Sequence, residues 1–531
     1  MAKFKVAAVF SDHCVLQQGK PCKIFGWGEE GRVITVEVES AEGKQQKVAE
    51  VKDERWVVSL NPMKAQIGVR MTVFDGDREN RTYTDIAVGE VWLCGGQSNM
   101  EFELQNMTGG KEHLEKDHPN VRFYYTQKNG YMDDKFFQDE GNTSWSLFGP
   151  EDAKAWSAAG YLFGKKLSEA LGVTVGLIGC NWGGTSASVW MRKEALLEDK
   201  ETAIYWNEYV EKNKDKSEEE QIKEYLEYEA YDKAWFEKSQ EVYKQQPNIS
   251  WDALQEKIGK NLWPGPINCR NPYRPGGLYE CMLQRVAPYT LKGWLFYQGE
   301  SDDHRPVMYK KLFSRMIQDW RELWGEELPM IFCQLPGNRY QNDPDYKHWC
   351  LIREAQEEVS KMVKDAYMSV LIDAGEFNDI HPKDKEPVGE RMYRTAMTEV
   401  YHMMKSVEGR TPAIEAVKFD GRNAVVSFRD LGDGLEVRNV IGRDKPISGF
   451  ELAGEDKVFY PAVGRLSGTG VVVSSDAVPL AKYLRYLWTN YPVQVDLYGV
   501  NGLPVPPYRS SKTDSFEAGT HATEIQQIMT V

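Results

Sequence analysis

Residues 89–100 read GEVWLCGGQSNM, an apolar strand that runs into a glycine turn. Val91, Trp92 and Leu93 make a short apolar run ending at Cys94. Gly95 and Gly96 then permit a tight turn, and Gln97 and Ser98 open the next segment. Comparable short strands read at 120–126, 173–179, 292–298, 328–335 and 366–373. Helical patterns lie between and after them at 157–171, 278–289, 306–324, 347–363 and 387–405. Apolar strands alternating with amphipathic helices predict an α/β fold, with a parallel sheet covered on both faces. Such sheets bind ligands beyond the carboxyl ends of their strands, so the chemistry is to be sought just after each strand.

Outward from this centre the pattern changes in both directions. Val33, Ile34, Val36 and Val38 start a strand in which Glu37 and Glu39 face water, and Val69, Met71 and Val73 repeat the alternation before Asp75-Gly76. Residues 1–88 therefore read as an N-terminal β-sandwich. From 411 the chain returns to β, with a hairpin signal at Asp420-Gly421 and strand patterns in GTGVVVSS and YPVQVDLYG. The expected organisation is a β-sandwich over 1–88, an α/β unit over 89–410 and a second β-sandwich over 411–531. A stretch rich in Glu, Lys, Tyr and Trp, about 192–263, interrupts the α/β unit and reads as a helical insertion with a solvated charged face.

Composition narrows the function classes. The 531 residues hold 65 Lys plus Arg against 80 Asp plus Glu, a net charge of −15. That balance speaks against nucleic acid and anionic membranes as partners, which select basic surfaces. No apolar run reaches the roughly 18 residues of a membrane helix. The eight cysteines show no paired spacing, and Cys94 and Cys333 lie in apolar runs, so free buried thiols and a reducing compartment are expected. MAKFKVAAVFSDH lacks the apolar core of a signal peptide. The expected location is cytoplasmic, with a secreted or periplasmic protein relieved of its signal as the alternative.

Four strand ends carry reactive side chains. Ser98 in GQSNM stands near backbone N–H groups that could hold an oxyanion. Asn181, Gly183 and Gly184 in NWGGTS allow a backbone N–H to approach a ligand closely. Gln298, Glu300 and Ser301 follow the strand in YQGES. Of the eight histidines, His304 and His381 fall at strand ends, and only His381 has a close preceding acid, Asp379, that could fix its tautomer as a general base. His304 and Asp303 in SDDHRP lack a second ligand at metal spacing.

Taken together, GQSNM, GGTS, YQGES and DIHPKDK resemble the four blocks of the sialate O-acetylesterase group of SGNH hydrolases, esterases that deacetylate sugars. FSDHCVLQQGKPCKIFGWG (10–28), GFELAG (449–454) and LYGVNGLPVPPYR (497–509) extend the resemblance to both flanks. It implies an α/β/α sandwich esterase without metal or cofactor, acting on an acetylated sugar or oligosaccharide. It further implies Ser98 as nucleophile and His381 as general base, with an oxyanion hole made by the N–H groups of Ser98 and Gly184 and the side chain of Gln298. The group commonly places its acid three residues before the histidine, where this chain has Asn378. Asp379 and Glu300 therefore compete to orient His381. An acetylxylan or other polysaccharide deacetylase is the alternative, and a non-catalytic carbohydrate-binding protein on an esterase scaffold is a third reading. Arg270, Arg274, Arg285 and Arg305 are candidates for a substrate carboxylate, with pairing to surface acids as the competing role.

Overall fold

A computed structural model describes residues 3–116, 118, 120–247, 249–440 and 445–514. The tail of the expected C-terminal unit, 515–531, lies outside the described residues. At the centre run six parallel strands: β1 (Glu79–Gly96), β2 (Val121–Tyr125), β3 (Val175–Asn181), β4 (Gly293–Tyr297), β5 (Met330–Cys333) and β6 (Ala366–Ser369). Their order is β2-β3-β1-β4-β5-β6. Every residue of β3 and β4 is buried, which is why these strands read as apolar runs without alternation.

Among the longer helices are α1 (Ala158–Leu171), α2 (Glu218–Gln245), α3 (Pro306–Trp324), α4 (His348–Met362) and α5 (Glu386–Thr395). Helix α1 packs on β3 and α5, while α3 packs on α4. Helix α2 belongs to the insertion, where it comes after Lys193–Leu197 and Ala203–Asn213 and precedes Trp251–Ile258. A capping box formed by Ser217 and Glu220 starts it. Only Gln221, Trp235, Ser239 and Val242 of its 28 residues are buried, so most of its charged surface meets solvent.

Two helices differ from expectation. The pattern at 278–289 gives a π turn at Tyr279–Leu283 and a short helix at Gln284–Val286, because Pro288 removes a donor and disfavours helical backbone at Ala287. The pattern at 387–405 gives α5 and a π turn at Ala396–Val400.

β1 is 18 residues long and does two jobs. Its first half pairs antiparallel with Gln66–Asp75, inside the N-terminal β region, and its second half runs between β3 and β4. The boundary expected at 88–89 thus lies inside one continuous strand. One hydrophobic core accordingly extends from Val6 through Trp92 and Trp294 to Met397. The C-terminal strands form a seven-stranded and a two-stranded sheet with a separate core, into which Val370 and Ile372, just after β6, also project. The hairpin read at Asp420-Gly421 is present, joining Ala413–Asp420 to Asn423–Arg429.

This topology locates the crevice. The chain leaves β1, builds β2 and β3 on one side of it, then crosses to β4 on the other. The strand order reverses at β1, and a crevice opens at the carboxyl ends there. Gly96 at the end of β1 is in register with Asn181 of β3 and Tyr297 of β4.

Candidate active site

The turn after β1 needs glycine. Gly96 has φ +128°, and a Cβ there would stand 2.2 Å from the Tyr297 carbonyl oxygen. The turn is held on both sides: Gln97 N–H donates to Tyr297 O at 3.0 Å, and Trp182 N–H donates to Gly96 O at 3.0 Å. Ser98 then begins the short helix Ser98–Glu101. Its Oγ lies 2.8 Å from Nε2 of His381, although 283 residues separate the two in sequence.

The turn after β3 completes the near side. A Cβ on Gly183 would come within 3.3 Å of Ser98 Cβ, and Gly184 has φ +72°. Gly183 N–H donates to Glu101 Oε2 at 2.6 Å, and Glu101 also pairs with Lys128. Glu101 thereby ties the glycine turn to the helix that carries Ser98. Among the described residues, the N–H groups of Ser98 and Gly184 have no protein acceptor. Two donors thus remain for a charge developing beside Ser98 Oγ.

Gln298 does not supply the donor expected of it. Its Nε2 donates to Thr185 O at 3.1 Å and to Asp302 Oδ2 at 2.7 Å, so both amide hydrogens are engaged. Its Oε1 accepts from Tyr309 at 2.9 Å. Asp302 also accepts from Ser186 Oγ, Ala187 N–H and the Tyr205 hydroxyl. Gln298 therefore belongs to a buried brace linking the turns after β3 and β4 to the insertion.

The two candidate acids occupy different places. Asp379 Oδ1 accepts the backbone N–H of His381 at 2.9 Å, so it shapes the loop carrying the histidine. Asn378 faces away from the histidine, its Oδ1 accepting from Gln341 N–H at 3.0 Å. Glu300 is fully buried, and its Oε1 accepts from Asn99 Nδ2 at 2.7 Å, while its Oε2 has no partner among the described residues. The same amide nitrogen of Asn99 donates to Ile380 O at 2.9 Å, and Asn99 Oδ1 accepts from Lys385 Nζ at 2.6 Å. Asn99 is thus the hub through which Glu300 and Lys385 brace the histidine loop.

Burial sets the electrostatics. It holds the pKa of His381 below its ordinary value, Lys385 adds to the lowering, and Asp379 and Glu101 oppose it. Burial brings Lys385 down to about 8, against the pull of Glu300, and raises the carboxyl of Glu300. A neutral imidazole facing a serine hydroxyl is the arrangement that proton abstraction requires.

The four candidate arginines are all paired with protein carboxylates: Arg270 with Asp133, Arg274 with Glu280, Arg285 with Glu140 and Arg305 with Glu208. Asp303 lies buried against His348 and Trp349. Among the described residues no group of three or more His, Cys, Asp or Glu is placed to hold a metal ion, and no helix is long and apolar enough to cross a membrane. All eight cysteines are free, and seven are buried.

Residues 263–385, which contain the turn after β4 and the histidine loop, match the model of the sialic acid-specific acetylesterase family of carbohydrate esterases. The chain is similar to the sialate O-acetylesterases over nearly its whole length. It is 24% identical to the sialate O-acetylesterase of Mus musculus, with 95% of this chain and 94% of the mouse protein aligned. Identity to the Homo sapiens sialate O-acetylesterase is also 24%, over 96% and 93% of the two chains. Among solved structures, a carbohydrate acetylesterase from Xanthomonas citri superposes with a TM-score of 0.74 at 25% identity, covering 96% of this esterase and 99% of that chain.

Asn99, Glu101 and Lys385 carry no signal of a site role in the sequence. Asn99 and Lys385 stand inside GQSNM and DIHPKDK, but nothing in either block shows that they meet across 286 residues. Glu101 reads as an ordinary acid in a short helix until the turn after β3 is placed beside it.

Proposed function

We propose that the esterase removes O-acetyl groups from sialic acids or related acetylated sugars through an acetyl-enzyme on Ser98. The observation that carries this reading is the 2.8 Å contact between Ser98 Oγ and His381 Nε2 at the strand-order reversal. Nε2 takes the Oγ proton as Oγ bonds to the acetyl carbonyl carbon. The N–H groups of Ser98 and Gly184 receive the oxyanion. The imidazolium returns its proton to the sugar oxygen as the C–O bond breaks, and water, activated by the same histidine, releases acetate. Nδ1 must carry a proton for Nε2 to accept one, and the charge of Asp379 favours the imidazolium that forms.

In this proposal the central layers are an SGNH-type α/β/α sandwich, flanked by an N-terminal β-sandwich unit that shares the strand Glu79–Gly96 with it and by a C-terminal β-sandwich unit that starts near residue 411. The pairing of Arg270, Arg274, Arg285 and Arg305 supports a second reading, because it leaves none of the four free for a sialate carboxylate. A neutral acetylated saccharide such as acetylxylan then becomes the substrate. Assaying O-acetylated sialic acids against acetylated xylo-oligosaccharides tests the choice. Acetate release from the sialic acids is expected. Release from xylo-oligosaccharides alone replaces the substrate, and release from neither refutes the esterase reading.

A further inference from the structure

The insertion delivers an aromatic side chain to the edge of the site. Trp263 ends the insertion, and its indole lies where a Cβ on Gly184 would point, 2.6 Å from that position. Gly184 bears one of the two N–H groups available beside Ser98, so the indole stands one residue from the reacting centre. It is nevertheless 43% exposed, an unusual state for a tryptophan in a chain where Trp92, Trp190, Trp294 and Trp320 are fully buried.

The ring is held in place. Trp263 Nε1–H donates to the Tyr273 hydroxyl at 3.1 Å, and the two rings meet edge to face at 5.4 Å. Asn271, fully buried, donates to the carbonyls of Pro264 and Pro266 at 2.8 and 2.9 Å and accepts from Tyr273 N–H at 2.7 Å. The loop of Trp263 and the partner of its indole nitrogen are therefore set by one amide. Beneath the loop, Gly265 lies against the ring of Tyr228 in α2, so the insertion supports the platform. Restraint at the polar edge with an open face is how an aromatic side chain is prepared for a ligand, since little rotamer freedom remains to be lost on binding.

Resting on the esterase reading, we propose that Trp263 is a stacking platform for the pyranose ring that bears the scissile acetyl group. With the acetyl carbonyl at the N–H of Gly184, the sugar extends past that glycine onto the indole. One face of a pyranose presents C–H groups whose apolar area is removed from water against the aromatic face. The insertion thereby selects sugar esters over simple alkyl esters.

The test is the ratio of kcat/KM for a mono-O-acetylated methyl pyranoside to kcat/KM for ethyl acetate, in wild type, Trp263→Ala and Trp263→Phe. The ratio should fall about tenfold or more in Trp263→Ala and less in Trp263→Phe, because binding energy used on the sugar is absent from ethyl acetate. An unchanged ratio overturns the proposal. That includes the case in which both substrates lose equally because the indole merely props Gly184. Affinity for the same glycoside in a Ser98→Ala background, with and without Trp263→Ala, gives a reading free of turnover. Weaker binding supports the platform, and equal binding overturns it while leaving the esterase reading intact. Wild-type failure on both esters would instead refute the esterase reading.

Discussion

Replacing Asp379 by Asn should separate its charge from its shape. Asn keeps an oxygen able to accept the His381 backbone N–H, a 2.9 Å bond that Asp379 Oδ1 accepts now, so the loop should persist. What disappears is the negative charge that favours the imidazolium. A carboxylate about 5 Å from an imidazolium, at an effective dielectric of about 20, is worth about 3 kcal/mol, or roughly two orders of magnitude in rate. We therefore expect kcat for an acetyl ester to fall about a hundredfold in Asp379→Asn, with little change in KM. The sign of the pH effect comes from the same charge. His381 must be neutral to act as base, so kcat/KM rises as pH passes upward through its pKa. Asp379 raises that pKa against burial and Lys385, so removing its charge should move the acid limb to lower pH. Glu300→Gln should cost far less, because glutamine can still accept the Asn99 hydrogen bond of 2.7 Å. The assay is a pH–rate series on one ester for both variants. If Glu300→Gln is crippled and Asp379→Asn stays within threefold of wild type, the reasoning is refuted and the triad is Ser-His-Glu. Equal large losses would mean that both acids serve the histidine.

Lys385 lowers the pKa of His381, so Lys385→Met should shift the acid limb of kcat/KM to higher pH; an unmoved limb would show that the lysine acts only through Asn99. Turnover should be indifferent to EDTA, and loss restored by zinc would contradict the proposed mechanism. Ala at Gly184 should reduce kcat by about 10²–10³, the cost of one oxyanion donor, because φ +72° and the Trp263 ring leave no room for a Cβ without moving that N–H.

Much of the central layer was legible because burial on both faces leaves a plain mark. The strand expected at 292–298 is Gly293–Tyr297, and the helix expected at 306–324 has those same bounds, opened by Pro306 and stopped at Gly325. The meeting of Ser98 with His381 was legible only as a coincidence of strand ends. What sequence could not show is side-chain commitment. Gln298 reads as a free amide after a strand, yet Thr185 and Asp302 take both its hydrogens. The boundary at 88–89 rests on a change of hydrophobic period, but a strand can change partners without ending, as β1 does. Trp263 gave no signal of its own, since its place beside Gly184 depends on how the insertion folds back onto the turn after β3.

The proposed mechanism turns on attack by Ser98 on the acetyl group. Its most direct test is the steady-state turnover of one acetylated sugar by wild type and Ser98→Ala, with circular dichroism to establish that the variant is folded. Loss of the nucleophile should lower kcat by about 10⁴–10⁶. A folded Ser98→Ala protein retaining more than a tenth of wild-type turnover would contradict the account.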